Sequence, residues 1–137
     1  MEIYPPELEL KKENTLNTSA SFLDIEICIE NNKFKYKHYD KRDDFPFSIV
    51  RMPFLNSNMP SKIFYASLGS EILRLGRTTN DITSLKYNVN NLLSRMKKQG
   101  AKETNTVKTI KKVFGKNPDI FKAFSDTSQG FVNILQF

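Results

Sequence analysis

Leu23-Asp24-Ile25-Glu26-Ile27-Cys28-Ile29-Glu30-Asn31-Asn32-Lys33-Phe34-Lys35-Tyr36-Lys37-His38 decides the fold of the N-terminal part of the chain. Apolar and polar residues alternate on both sides of Asn31-Asn32, the period of two that a strand needs to separate its faces. A two-residue turn at Asn31-Asn32 fixes the register. Ile29 then faces Phe34, Ile27 faces Tyr36 and Ile25 faces His38, on the side expected to be the core. On the other side Glu30 faces Lys33 and Glu26 faces Lys37, opposite charges that add a few tenths of a kcal/mol each.

Upstream, Leu8 and Leu10 between Glu7, Glu9 and Lys11 suggest a short strand, and the polar stretch 14–21 reads as a loop. Downstream, Pro46, Pro53 and Pro60 interrupt any long element. Phe45, Phe47, Ile49, Phe54 and Leu55 are expected to anchor that connection to the core. A helix is expected from Pro60-Ser61, with Ser able to cap it, through Ile63, Phe64, Leu68, Ile72 and Leu75, stopping near Gly76. A second starts at Thr79 or Asn80 as cap. Its apolar stripe is Ile82, Leu85, Val89, Leu92 and Met96, and Gly100 can supply the left-handed residue past its end. A third runs from about Asn105 to Gly115, and 119–124 could form one more turn. The tail after Ser125 has no clear period.

Sheet first and helices second give an α+β class: a small antiparallel sheet followed by a bundle of three to four helices. The division expected is a hairpin subdomain at 1–50, a helical subdomain at 51–124 and a tail at 125–137.

The composition limits the functions open to the chain. At 137 residues with eleven Phe and 39% hydrophobic content, it can build a core and is not of disordered type. It has no apolar run of the ~20 residues a membrane span needs, and its start lacks signal-peptide character. Single copies of Cys (Cys28) and His (His38) exclude a disulfide framework and argue against a four-ligand zinc site. An intracellular protein, nuclear or cytoplasmic, is expected, with no membrane partner and no cofactor.

The charge is unevenly distributed. Residues 1–30 carry seven acidic side chains against Lys11 and Lys12; residues 95–116 carry eight basic ones against Glu103. An oriented anionic partner, nucleic acid first, suits that asymmetry, as does a plain solvated lysine surface. Lys108, Lys111 and Lys112 can share one side of the third helix while Val107, Ile110 and Phe114 face inward. Lys35, Lys37, Lys41 and Arg42 lie beside Tyr36 and Tyr39, a mixture suited to a nucleic-acid backbone and an unstacked base. The competing reading is a strand whose lysines balance Glu26 and Glu30. Asp43-Asp44 lacks the aromatic residue two positions before it that a polymerase metal turn carries. These carboxylates are expected to pair with Lys41 or Arg42. A Cys28–His38 nucleophile pair lacks an orienting third group, and there is no glycine-rich phosphate loop.

Several blocks occur in an informative order: 4–11 (YPPELELK), 21–27 (SFLDIEI), 39–45 (YDKRDDF), 57–60 (SNMP) and Gln99-Gly100. This order resembles the end of the palm and the thumb of reverse transcriptases from invertebrate retroelements, the Penelope-like class or its relatives. The likeness spans roughly residues 4–124. It implies a palm-end hairpin, with Lys41 and Arg42 matching the family's basic pair, and a helical thumb lying along a primer–template duplex. It also implies that the paired catalytic aspartates lie upstream, so the chain is expected to be a truncated polymerase relative without enzymatic activity. Ala101 departs from the aromatic expected after Gln-Gly. The partner that the resemblance implies is a DNA or RNA duplex bound without sequence preference; the alternative, suggested by strand edges left unpaired and by the many phenylalanines, is a polypeptide such as the remainder of a polymerase core. An inert remnant is a further alternative.

Overall fold

The computed structural model describes residues 5–9, 17–47 and 54–135. Strands β1 (Ser19–Phe22), β2 (Ile25–Glu30) and β3 (Lys33–His38) form an antiparallel sheet in the order β1-β2-β3. Helices α1 (Ser61–Arg77), α2 (Ile82–Lys98), α3 (Glu103–Lys116), α4 (Pro118–Phe121) and α5 (Ser128–Ile134) follow. The chain is α+β, as the order of periodicities implies.

The β2–β3 register is the one the alternation requires, with Ile29 opposite Phe34, Ile27 opposite Tyr36, Ile25 opposite His38 and Glu26 opposite Lys37. Asn31 (φ 52°) and Asn32 (φ 61°) both take the left-handed conformation, as a twist-matched two-residue hairpin turn demands. The stretch 14–21 is not all loop, because Ser19–Phe22 pairs with Cys28–Ile25 as β1. Leu8 lies exposed in a turn rather than in a strand, and Leu10 falls outside the described residues.

The face expected to be the core side of the hairpin is largely uncovered. Phe22 is 75% exposed, Phe34 71%, Ile29 48% and Ile27 44%. The reason lies in how the helices meet the sheet. The loop between α1 and α2 closes the β3 edge: the Asn80 side chain accepts from Tyr36 N–H (2.8 Å) and donates to Phe34 C=O (3.1 Å), and Asn80 N–H donates to Tyr36 C=O (3.0 Å). The Arg74 guanidinium reaches Asp24 (3.4 Å), and His38 Nδ1 lies 3.1 Å from Thr78 Oγ1. The bundle therefore holds the sheet by one edge and by its Ile25/His38 end, leaving most of the apolar face to solvent.

Because Thr79 and Asn80 are engaged by β3, the cap of α2 is Asp81, whose carboxylate accepts from Ser84 N–H (3.1 Å) and Oγ (2.7 Å). Its apolar stripe is buried from Leu85 to Met96, and Gly100 at φ 104° turns the chain out of the helix. Ser61 is the first helical residue of α1 rather than its cap. The helix ends at Arg77, beside Gly76 as expected, and Gly76 is also a crossing point, where a Cβ would stand 2.7 Å from Phe121 Cε1. Higher up, α1 and α3 touch at Gly69, where a Cβ would lie 3.1 Å from Val113 Cγ2.

The segment read as a tail contributes α5, capped by the Thr127 hydroxyl on Gly130 N–H (3.0 Å). Its Phe131 and Val132, with Leu135, join Phe64, Leu68, Ile72, Ile110, Phe114 and Phe121 in the core. In the connection after the sheet, Phe45 and Phe47 are exposed and lie against each other, ring centroids 5.4 Å apart and tilted by 34°, instead of anchoring to the core. Phe54 is exposed as well; Leu55 does pack on the core, and Ile49 lies outside the described residues. No helix among the described residues is long and apolar enough to cross a membrane.

Candidate nucleic-acid interface

The two groups of basic residues singled out in the sequence have different surroundings. In the hairpin, Lys35 Nζ lies 3.6 Å from Glu30 and from Asp81, and Lys37 Nζ lies 3.5 Å from Glu26. Arg42 grips Asp40 through Nε and Nη2, with Nε–oxygen distances of 2.9 Å. That grip holds the Asp40 carboxyl down at about 2. Lys41 is the exposed member, at the start of a 3-10 turn over Lys41–Asp44. Of the two aspartates expected to pair with Lys41 or Arg42, the Asp43 side chain lies outside the described residues, and Asp44 accepts the Tyr39 hydroxyl at 2.5 Å, which pushes the phenol's pKa up.

On α3 the arrangement is open. Thr106, Ile110 and Phe114 point into the core, so the helical period turns Lys108, Lys111 and Lys112 to the opposite side, where all three are exposed. Lys116 follows Lys112 one turn later, also exposed, and none of these four engages a carboxylate among the described residues. The face extends beyond the three lysines named from sequence, since the i, i+4 spacing adds Lys116. Gly115 lies within this face, and a Cβ there would meet no atom within 4 Å. Lys97 and Lys98 at the end of α2 and Lys102 just before α3 are exposed, whereas the Arg95 Nε is buried and makes no hydrogen bond among the described residues.

Among the described residues, no group of three His, Cys, Asp or Glu side chains could hold a metal. A groove of about 210 Å3 beside Leu93, Lys97, Ala101, Glu103 and Thr106 is smaller than ordinary small-molecule sites of ~300–1,000 Å3. Cys28 Sγ lies 3.8 Å from Ser19 Oγ on the polar face of the sheet, while His38 projects from the other face toward Thr78.

His38 links the sheet to the bundle and carries a pH prediction. Thr78 Oγ1 donates to Arg74 C=O (2.9 Å), which leaves its oxygen to accept from a neutral His38 Nδ1–H. Burial lowers the imidazole pKa below 6.5, and the Arg74 guanidinium lowers it further against Asp40, Asp24 and Glu71. The unfolded chain therefore takes up this proton more readily than the folded one. The stabilisation is complete above about pH 6.5 and is lost as pH falls below that value. Urea midpoints of wild type should fall between pH 7 and 5, with a shallower fall in His38→Gln; equal slopes would remove His38 as the cause.

No family model, curated protein or solved structure matches the chain.

Proposed function

We propose that the chain binds a nucleic-acid duplex without reading its sequence, through the exposed lysine face of α3. The observation that carries this reading is the set Lys108, Lys111, Lys112 and Lys116, solvent-facing and without carboxylate partners among the described residues, on a helix whose other side is buried. Lysines spaced along a straight helix meet successive phosphates, which gives affinity and orientation but no base readout. The reverse-transcriptase thumb that the sequence resembles supplies the same expectation, a helical layer lying along a duplex. Binding rather than chemistry is proposed. Lys41 can add a contact, whereas Lys35, Lys37 and Arg42 would have to leave internal carboxylates to do so.

Fluorescence anisotropy with a labelled primer–template duplex tests the reading. Three to four phosphate contacts give a log–log salt slope near −3, or roughly a 60-fold loss of affinity for a fourfold rise in salt. Random-sequence duplexes of equal length should bind equally well. A salt-independent affinity, or none at low salt, removes the proposal. A second reading, docking of a polypeptide, has its own supporting observation in the uncovered apolar face of the sheet.

A further inference from the structure

We infer that the apolar face of the three-stranded sheet pairs with the same face of a second copy of this chain. The inference rests on the polypeptide-docking reading, names its partner, and is independent of the lysine face. Ala20 and Phe22 of β1, Ile25, Ile27 and Ile29 of β2, and Phe34, Tyr36 and His38 of β3 all project from one side, by the register of the strands. No carboxylate or ammonium group belongs to that side, although the chain as a whole carries +6. A charge-free surface offers nothing to phosphates, and it is a place where two copies of a cationic chain can meet without opposing like charges.

Relief and area both suit a symmetric pair. Phe22 and Phe34 stand at diagonally opposite corners, and Ala20 leaves a low point beside Ile27. A two-fold axis running along β2 sets Tyr36 of each copy over the low point at Ala20 of the other, and the Phe22 and Phe34 corners over the other copy's His38 and Thr18 corners, with the strands crossing at the small angle of aligned sheet packing. The exposed parts of Phe22, Ile27, Ile29, Phe34 and Tyr36 amount to roughly 500 Å2, taking ~150–250 Å2 for a large side chain. Two copies then bury about 1,000 Å2, the lower bound of a specific interface, so a weak, concentration-dependent dimer is expected. The β3 edge is already closed by Thr79 and Asn80, so the face rather than that edge is the surface on offer.

Sedimentation velocity on the full chain, from about 1 to 200 μM, tests the inference on wild type, Phe34→Glu and Ile29→Lys, with far-UV circular dichroism as the folding control. Both positions are solvent-exposed in the single chain, so the variants should keep its helical signal. Wild type should pass from monomer to dimer across the range while both variants remain monomeric. A wild-type monomer throughout, or dimers undiminished in both variants, overturns the inference. Binding of a hydrophobic dye separates the two ways of failing. A monomer that binds dye through this face keeps the docking reading with another polypeptide and rejects self-pairing; a monomer that binds none rejects both.

Discussion

Phe121→Ala is expected to destabilise the chain by about 3–5 kcal/mol, a large share of the ~5–15 kcal/mol typical of a whole domain. Phe121 has no exposed surface and is the junction of three parts of the bundle. Its ring centroid is 6.1 Å from that of Phe114 on α3 and 5.4 Å from that of Phe131 on α5, while Gly76 of α1 lies against its edge. Asn117-Pro118 holds the ring there by starting α4 immediately after α3. Removing it leaves a cavity bounded by three helices whose backbones cannot all close in, so the loss exceeds simple transfer of the ring to water. Equilibrium urea unfolding followed by circular dichroism measures the change. A loss below ~1 kcal/mol would mean that α4 and α5 are not packed on the bundle as described.

The second large effect is expected on binding. Changing Lys108, Lys111 and Lys112 together to Glu removes three phosphate contacts and places three carboxylates against the duplex. The log–log salt slope should fall by about 3 units, and binding at low salt should weaken at least 100-fold. All three positions are exposed and away from the core, so the fold should tolerate the change to within about 0.5 kcal/mol apiece.

Local rules were enough for the parts of the fold that depend on neighbours in sequence. The hairpin register follows from alternation around Asn31-Asn32, and the buried side of α2 from its three- and four-residue spacings. What could not be read locally depends on long-range partners. Alternation separates the two faces of the hairpin but does not say which one the helices cover, and here they hold an edge and one end. Thr79 and Asn80 have good capping chemistry, yet β3 engages them and Asp81 takes over. Helix α5 is only seven residues long, too short for a period to be evident, and β1 is a four-residue strand at the end of a polar stretch.

The candidate interface divides along the same line. Exposure of Lys108, Lys111 and Lys112 follows from helical spacing alone. The engagement of Lys35 by Asp81, across 46 positions of sequence, does not. Pairing of Lys37 with Glu26 was visible as the competing reading of the hairpin, and that is the pairing the structure contains.

The most direct test of duplex binding through α3 compares two variants of equal charge. Lys108, Lys111 and Lys112 to Glu takes the net charge from +6 to zero, and so does Lys62, Lys86 and Lys122 to Glu. Anisotropy with one labelled duplex is measured for both, beside wild type, across the same salt series. If the α3 face is the interface, the first variant loses salt-sensitive binding and the second keeps a slope within about one unit of wild type. Equal losses in the two would mean that overall charge, and not this surface, attracts the duplex, contradicting the account.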